Sequence, residues 1–147
     1  MPDVSFRRYL KRDIQTCLGL FDANCPEFFA PNEREDYLLF LETVPERYEV
    51  CEAAGKVVGA HGLFEQSSEA KVLNWILLDP SSQGHGIGAT IMARVMSSAR
   101  AAAAIRIHIA ASHKSRSFFE RFGAQVIGTT DDGWGPGMHR VDMVIYL

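Results

Sequence analysis

The hydrophobic and polar positions of this chain change their period several times, and each change predicts a new element. Residues 105–109 alternate between apolar and polar, which is typical of a strand with one buried face. The run 73–78 is almost wholly apolar, as expected of a strand that is covered on both faces. After Ile87, apolar residues return at helical spacing, with Ile91 and Val95 on the same stripe. The pattern therefore mixes helices with both kinds of strand.

Turn and capping residues divide the rest of the chain. Ala54-Gly55-Lys56 separates two strand-like runs and predicts a hairpin. Residues 131–137 are rich in Asp and Gly and predict a flexible loop between the last two strands. In chain order, the predicted elements are strand 4–9, helix 13–21, a helix opened by residues 30–31, strands 48–53, 57–64 and 73–78, a helix from residue 87, strand 105–109, helix 115–122, and strands 124–129 and 141–147.

The helix boundaries follow from individual residues. Asp13 is a plausible N-cap of the first helix, and the segment Asn24-Cys25-Pro26 ends that helix. Pro31 suits the first turn of the second helix, Asn32 is a candidate cap, and Pro45 ends it. These signals fix where each helix starts and stops.

Composition limits the classes of protein to consider. The 147 residues predict a single domain, residues 1–147, and the 47% hydrophobic and 22% charged content is typical of a globular protein. A formal net charge of -3 gives no electrostatic basis for binding nucleic acid, and no apolar run predicts a membrane span. The N-terminus has no apolar signal core, and three cysteines without metal spacing suggest reduced thiols. We therefore expect a cytoplasmic protein without nucleic acid, membrane or metal as partner.

The glycine-rich stretch 83–88, Gln-Gly-His-Gly-Ile-Gly, lies between the apolar strand and the next helix. Unpaired amides at a helix N-terminus and the positive end of the helix dipole both favour an anion. The stretch therefore predicts a ligand that carries phosphate.

Two known phosphate-binding patterns, the Rossmann dinucleotide pattern and the Walker nucleotide pattern, are alternatives for this loop, and neither fits it fully. Gly84-x-Gly86-x-x-Ala89 matches the Rossmann pattern, which requires an acidic residue for the ribose about 20 positions further on. No Asp or Glu occurs between Asp79 and Glu120, and the second set of βαβ units is missing. A Walker loop is excluded because no Gly-Lys-Ser/Thr follows. A nicotinamide oxidoreductase is therefore the least favoured class.

Residues 83–88, placed after the Leu78-Asp79-Pro80 turn, resemble the acetyl-coenzyme A (acetyl-CoA) loop of the GNAT family of N-acetyltransferases, whose pattern is Gln/Arg-x-x-Gly-x-Gly/Ala. The predicted order β-α-α-β-β-β-α-β-α-β-β is also the element order of that family, so the resemblance covers essentially the whole chain. Residues 21–31 also look like a bacterial branch of the family. The resemblance implies an α/β (α+β) fold with a central, mixed, mostly antiparallel sheet flanked by helices.

The resemblance also implies which residues hold acetyl-CoA as co-substrate. The loop amides cradle the diphosphate and the backbone of the preceding strand binds the pantetheine arm. Ser112 stands where the family often has a cofactor-contacting Asn, and Phe119 stands where many members have a Tyr that serves the leaving group. The implied cofactor-binding residues are Ile76, Leu78, Gln83, Gly84, His85, Gly86, Ile87, Gly88, Ala89, Ser112 and Phe119.

Direct attack by an amine requires a proton to leave an ammonium whose pKa is about 10.4. Glu65 and His139 are the first candidates for the base, followed by His61 and Glu52. With no phenol at position 119, Ser112, Ser115 or Tyr146 would have to serve the leaving thiolate. A covalent route through one of the three cysteines has no neighbouring His to support it, so it is rejected.

The acceptor pocket is expected between the first two helices and the last hairpin loop. Phe28, Phe29, Tyr37 and an exposed Trp134 are its predicted lining residues. The predicted function is transfer of an acetyl group to a primary amine of a small molecule or peptide. The alternative, favoured by Phe119, is a non-catalytic sensor that binds acyl-CoA. Unpaired strand edges leave a homodimer open.

Overall fold

The computed structural model of this protein describes residues 3–43, 46–82 and 84–147. Its strands are β1 Val4–Arg8, β2 Tyr48–Ala53, β3 Lys56–Glu65, β4 Ala70–Leu78, β5 Arg106–Ser112, β6 Gln125–Gly135 and β7 Met138–Tyr146. Its α-helices are α1 Ile14–Ala23, α2 Glu33–Thr43, α3 Ile87–Ala101 and α4 Arg116–Glu120. Two short 3-10 helices, Lys11–Asp13 and Pro80–Ser82, precede α1 and the glycine-rich loop.

The strands form one seven-stranded sheet in the order β1-β2-β3-β4-β5-β7-β6. Strands β4 and β5, joined through α3, are parallel, and the other neighbouring pairs are antiparallel. The long crossover through a helix is what a parallel pair requires. The predicted fold class and element order are confirmed.

The core lies on both faces of this sheet. On one face, the apolar stripe of α3 formed by Ile87, Ile91 and Val95 packs on the sheet together with α4. On the other face, α1 and α2 bury Phe21 and Tyr37. Alternation along each strand supplies both faces, as with Val50 and Cys51 of β2. The site described below lies where two neighbouring strands of the sheet, β4 and β5, separate.

The predicted flexible loop at residues 131–137 is wrong. Strand β6 continues to Gly135, and the turn to β7 takes only residues 136–137. The Asp132 amide donates to His139 Nδ1 at 3.0 Å, and the Gly137 amide donates to Asp132 Oδ1 at 2.7 Å. Polar side chains that looked like turn formers instead hydrogen-bond across the hairpin, so the hairpin is long.

Asp13 occupies the predicted N-cap position of α1, but its side chain makes no capping hydrogen bond there. Its carboxylate instead accepts the Leu10 amide at 2.7 Å and pairs with Arg7 at 2.8 Å. Asn32 does not cap α2, because its side chain donates to the carbonyl of Trp134. Pro45, expected to end α2, lies outside the described residues.

No helix in the described part of the chain is both long and apolar enough to cross a membrane.

Candidate functional site

Strands β4 and β5 separate part of the way along their length. They pair only through residues 70–73 and 106–109, although β4 continues to Leu78 and β5 to Ser112. Their outer edges remain bonded to β3 and β7. The inner edges therefore border an open space between the two strands, called the cleft from here on.

A bulge in β4 coincides with the point of separation. Trp75 has a φ of 48°, and the register with β3 shifts between Ala60 and Gly62. The Tyr48 hydroxyl donates to the Trp75 carbonyl at 2.6 Å, and the Tyr37 hydroxyl lies 2.8 Å from that of Tyr48. Since Tyr48 uses its only proton on Trp75, Tyr37 donates to Tyr48. A bulge bends its strand, and this one turns β4 away from β5.

The backbone groups of β4 that face the cleft can be assigned from the strand alternation. The Asp79 amide donates to the Val58 carbonyl of β3 at 2.8 Å, so residue 79 points toward β3. Polar backbone groups alternate sides along a strand, which places those of Ile76 and Leu78 on the cleft side. The Asn24 side-chain amide donates a hydrogen bond to the Leu78 carbonyl at 3.0 Å. Both backbone groups of Ile76 and the amide of Leu78 remain for a ligand.

The cleft has a volume of about 1000 Å³, at the upper end of the range for ligand pockets. Its walls come from β4, β5, α3, α4 and the segment between α1 and α2. The residues that line it and carry the argument below are Asn24, Phe28, Phe29, Glu33, Trp75, Ile76, Leu78, Gly84, Gly86, Ile87, Gly88, Ala89, Ser112, Lys114, Ser115, Phe118, Phe119, Arg121, Phe122 and Trp134.

The glycine-rich loop closes one end of the cleft. Gly84 and Gly86 have φ angles of 83° and 76°, which L side chains rarely adopt, so glycine is needed at both positions. Gly86 is the N-cap of α3 and supplies no capping side chain. The amides of residues 84–89 donate to no acceptor within the described ranges; Gln83 lies outside those ranges. This is the geometry of an anion site.

Gly88 serves packing. A Cβ at this position would come within 2.8 Å of Phe118 Cε1, so α4 packs tightly against the start of α3. Phe119 is buried in the same core and has no hydroxyl to offer the cleft. The guanidinium of Arg121 lies 5.4 Å from the Phe118 ring centre and lines the cleft.

Ser112 and Ser115 stand together on the β5 wall. Their hydroxyl oxygens are 3.2 Å apart, and the Ser115 amide lies 3.3 Å from Ser112 Oγ. These contacts fix the turn into α4. Both side chains line the cleft, so the structure brings the two predicted serines to one wall.

Trp134 is half-buried, so its predicted exposure is wrong. Its indole N–H donates to the Ala111 carbonyl at 2.8 Å, and the Arg140 guanidinium lies 5.0 Å from its ring centre. Its carbonyl accepts the Asn32 side chain at 2.8 Å. Trp134 therefore joins β6 to β5 and to the segment before α2, and it lines the cleft.

The other predicted acceptor residues divide into two groups. Phe28 and Phe29 are half-buried and line the cleft beside Trp134. Tyr37 is fully buried, and its hydroxyl is used on Tyr48. The structure therefore gives Tyr37 a place behind the wall of the cleft.

Glu33 lines the cleft, although it was not among the site residues predicted from the sequence. Only 4% of its surface is exposed, and its Oε2 accepts the Ala30 amide at 2.7 Å. Burial raises the pKa of this carboxyl to about 7. The Ala30-x-x-Glu33 spacing is the signal in the sequence, because a Glu at a helix start can reach back to the amide three residues before it, as in a capping box.

The two leading candidates for the base do not line the cleft. Glu65 is exposed at the end of β3, opposite Lys71 of β4 in the strand register. His139 accepts the Asp132 amide on Nδ1, so the neutral ring carries its proton on Nε2 and has no free lone pair to act as a base. The geometry therefore favours neither residue as the base.

The remaining candidates are engaged elsewhere or exposed. His61 Nε2 lies 3.4 Å from Glu49, and Glu52 pairs with Arg7 at 2.8 Å. Tyr146 is 63% exposed at the end of β7.

The thiols are unsuited to covalent catalysis. Burial raises the pKa of both Cys17 and Cys51 to about 11, so little thiolate is present near neutrality. Burial also raises the pKa of Cys25.

Within the described residues, no three His, Cys, Asp or Glu side chains are grouped so that they could hold a metal ion.

Solved structures with this architecture include several acetyltransferases. Ard1 from Thermoplasma volcanium superposes with a TM-score of 0.82 at 16% identity, over 98% of this chain and 97% of that one. Rv2747 from Mycobacterium tuberculosis, solved in complex with CoA, gives 0.73 at 20% identity, over 97% and 99%. The yncA protein from Salmonella typhimurium, solved with its cofactor acetyl-CoA, gives 0.71 at 15% identity, over 99% and 94%. At these identities the likeness shows the fold. No curated protein sequence matches the chain.

The class defined by this fold and site is that of acetyl-CoA-dependent N-acetyltransferases. The model of the acetyltransferase (GNAT) family matches residues 17–124, and the chain belongs to that family. The family predicted from the glycine-rich loop and the element order is confirmed.

Proposed function

We propose that this enzyme transfers the acetyl group of acetyl-CoA to a primary amine of a small molecule or peptide by direct attack within the cleft. One observation carries the proposal. The inner edge of β4 has no partner strand, and it runs directly into a helix start whose amides are unpaired within the described residues. An extended amide arm that ends in a diphosphate is complementary to both features.

The cofactor is assigned to residues by their chemistry. The amides of 84–89 take the diphosphate, with Gln83 assigned to the same role from the sequence. Ile76 and the amide of Leu78 take the peptide-like pantetheine arm, as a neighbouring strand would. Lys114 and Arg121 on the α4 side add positive charge at the rim. Rv2747 and yncA, which share the fold, bind CoA and acetyl-CoA.

The reaction needs an unprotonated amine nitrogen near the thioester carbon. The nitrogen attacks the carbonyl, the C–N bond forms, and the C–S bond breaks as the thiolate departs. A thiol of pKa about 8.5 leaves readily near neutral pH, so an enzyme with Phe119 in place of a phenol remains competent. Ser112 and Ser115 line the β5 wall and are the hydroxyls available to the departing sulfur.

Ligand binding and turnover test the proposal together. Thermal unfolding is measured with acetyl-CoA, CoA, NAD and NADP, and thiol release is then followed with a panel of primary amines. We expect stabilisation by acetyl-CoA and CoA alone, and thiol release with at least one amine. Stabilisation by NAD or NADP instead would refute the assignment of the cleft.

The buried Phe119 supports a second candidate function. A protein that binds acyl-CoA without turning it over has no need of a group to serve the leaving thiolate, and Phe119 supplies none. Tight acetyl-CoA binding without thiol release on the whole amine panel would favour such a sensor.

A further inference from the structure

Glu33 is a buried carboxylate without a positively charged partner among the residues that the structure describes. It lies in the first turn of α2, lines the cleft and is 4% exposed. Its one hydrogen bond within the described residues is the one that Oε2 accepts from the Ala30 amide. No Lys, Arg or His in the described ranges comes within ion-pair distance of it, so the charge on its ionised form is uncompensated.

The neighbouring charges do not supply a counter-ion. Arg34, the next residue, points to Asp22 and binds it at 2.8 Å through an exposed pair. Desolvation opposes ionisation of Glu33, and so does the negative charge of Asp36 on the same helix. In the preceding segment, the Glu33 carboxylate in turn helps to raise the pKa of the Cys25 thiol. Lys114 lies in the lining of the cleft but forms no ion pair with Glu33.

Aromatic side chains line the same cleft as Glu33. They are Phe28, Phe29 and Trp134. Aromatic faces attract an ammonium group, and a buried carboxylate attracts it more strongly. The combination fits a protonated primary amine attached to an apolar group.

We propose that Glu33 binds the ammonium of the acceptor and removes its proton, which makes it the base of the transfer reaction. This inference rests on the proposed function for the identity of the reaction. Neither Glu65 nor His139 offers a free basic atom in the cleft, whereas Glu33 does.

The proton balance of the step is complete. Ionised Glu33 takes one proton from R–NH3+ and becomes the neutral acid. The free amine forms the C–N bond, and the C–S bond of acetyl-CoA breaks. The second proton on nitrogen passes to the departing sulfur, which gives the amide and CoA thiol, and Glu33 returns its proton to solvent.

The alternative role for Glu33 is structural, because it holds the Ala30 amide at the start of α2. Glu33→Gln separates the two roles: the amide oxygen of Gln still accepts the Ala30 N–H, but Gln cannot take a proton. The matched control is Glu35→Gln, an exposed residue on the same helix.

The test measures kcat/KM against pH for wild type and both variants, with the amine that gives the fastest thiol release. We expect Glu33→Gln to lower kcat/KM by about 10²- to 10⁴-fold, to lose the rise of kcat/KM near pH 7, and to bind acetyl-CoA as wild type does. Glu35→Gln keeps the wild-type profile. A Glu33→Gln variant with kcat/KM within threefold of wild type at every pH overturns the proposal.

Amine binding separates failure of this inference from failure of the proposed function. Phenethylamine and its neutral isostere 2-phenylethanol are titrated into the CoA-saturated protein by calorimetry. We expect Glu33→Gln to weaken the binding of phenethylamine at least tenfold and to leave the affinity for 2-phenylethanol unchanged. If wild type releases no thiol with any amine, the proposed function and the role of Glu33 as base fail, while this binding difference still supports Glu33 as the ammonium site. Equal binding of phenethylamine by both proteins, or no binding by either, overturns the inference.

Discussion

At the scale of single residues, Glu33 shows how a capping position can acquire chemistry. Its spacing from Ala30 is an ordinary feature of a helix start, and its carboxylate makes the expected hydrogen bond. The fold then buries this carboxylate in the wall of the cleft, and none of the described residues supplies a counter-ion. The sequence reveals the cap, but the burial depends on where β4 and the α1–α2 segment come to lie.

Burial of Glu33 has a consequence for stability that is independent of catalysis. Its pKa is raised from 4.5 to about 7, so the folded state holds the proton more tightly than the unfolded chain does. This favours the folded state below pH 4.5, and the benefit is lost as the pH rises through 7. The difference corresponds to at most about 3 kcal/mol.

We therefore expect the free energy of unfolding of wild type, relative to Glu33→Gln, to fall by about 1–3 kcal/mol between pH 5 and pH 8. Urea unfolding at a series of pH values measures it. Glu35→Gln should follow wild type throughout. A constant difference between wild type and Glu33→Gln across this range would contradict the expected titration.

The glycine loop permits a second residue-level prediction. Gly86→Glu places a negative side chain at the proposed diphosphate site, and like charges in contact weaken binding by several kcal/mol, or about 100-fold or more. Any L residue at a φ of 76° also costs about 1–2 kcal/mol of stability. Gly86→Ala shares this strain and lacks the charge, so it serves as the matched control.

Calorimetric titration with acetyl-CoA distinguishes the two variants. We expect Gly86→Glu to lose measurable binding while its circular dichroism spectrum stays that of a folded protein, and Gly86→Ala to keep most of its affinity. Undiminished affinity in Gly86→Glu would show that the diphosphate lies elsewhere.

At the scale of elements, the sequence predicts correctly which helices and strands form. It predicts the ends of the strands less well. The apolar run at 73–78 and the helix after it are read correctly, because burial of β4 and the stripe of α3 leave clear periodicity. The Asp- and Gly-rich residues 131–137 are misread as a loop because their polar side chains bond across the β6–β7 hairpin. That cross-strand bonding depends on register, which local composition does not encode.

The separation of β4 from β5 is also invisible in the sequence pattern. It coincides with the positive φ of Trp75, an apolar residue inside an apolar run. The Tyr48 hydroxyl, from a strand 27 positions away, holds the Trp75 carbonyl. The wall of the cleft thus depends on a hydrogen bond between distant residues.

We expect Tyr48→Phe to destabilise the protein by about 1–3 kcal/mol, because it leaves the part-buried Trp75 carbonyl without its donor and the buried Tyr37 hydroxyl without its acceptor. We also expect weaker acetyl-CoA binding, since β4 forms one wall of the cleft. The buried hydroxyl of Tyr9 has no hydrogen-bond partner in the described residues, so Tyr9→Phe is the control and should be neutral or stabilising. Chemical denaturation and acetyl-CoA titration of both variants measure these effects. Equal stability of the two would contradict the role given to Tyr48.

At the scale of the whole molecule, α3 is anchored to the first half of the sheet through Arg94. Its guanidinium makes two hydrogen bonds of 2.8 Å to Glu49 of β2 and lies 4.6 Å from the ring centre of Phe6 on β1. His61 of β3 approaches the same carboxylate at 3.4 Å. One carboxylate therefore connects a helix to two strands, and the glycine loop lies at the start of that helix.

The Arg94 hydrogen bonds, followed by that from His61, lower the pKa of Glu49 from 4.5 to about 2. Because the folded pKa is depressed, the stabilisation is present above pH 4.5 and is lost as the pH falls toward 2. Solvent screening of this partly exposed pair reduces its contribution to about 1–2 kcal/mol.

We expect the free energy of unfolding of wild type to exceed that of Glu49→Gln by this amount at pH 7, and the difference to disappear toward pH 2 to 3. Urea unfolding from pH 7 to pH 2.5 measures it, with the exposed Glu42→Gln as the control. A difference that does not shrink with acid would show that Glu49 acts through packing.

The open inner edge of β4 gives the co-substrate a structural part to play. Under the proposed function, acetyl-CoA takes the place of a missing strand and hydrogen-bonds to amides that have no acceptor among the described residues. A ligand that binds only the native state adds to its stability according to its concentration relative to Kd. Each turnover would then remove and replace a piece of the scaffold, and the enzyme would be most easily unfolded or digested in the interval after CoA departs. Resistance to heat and proteolysis would rise and fall with the supply of its acyl donor.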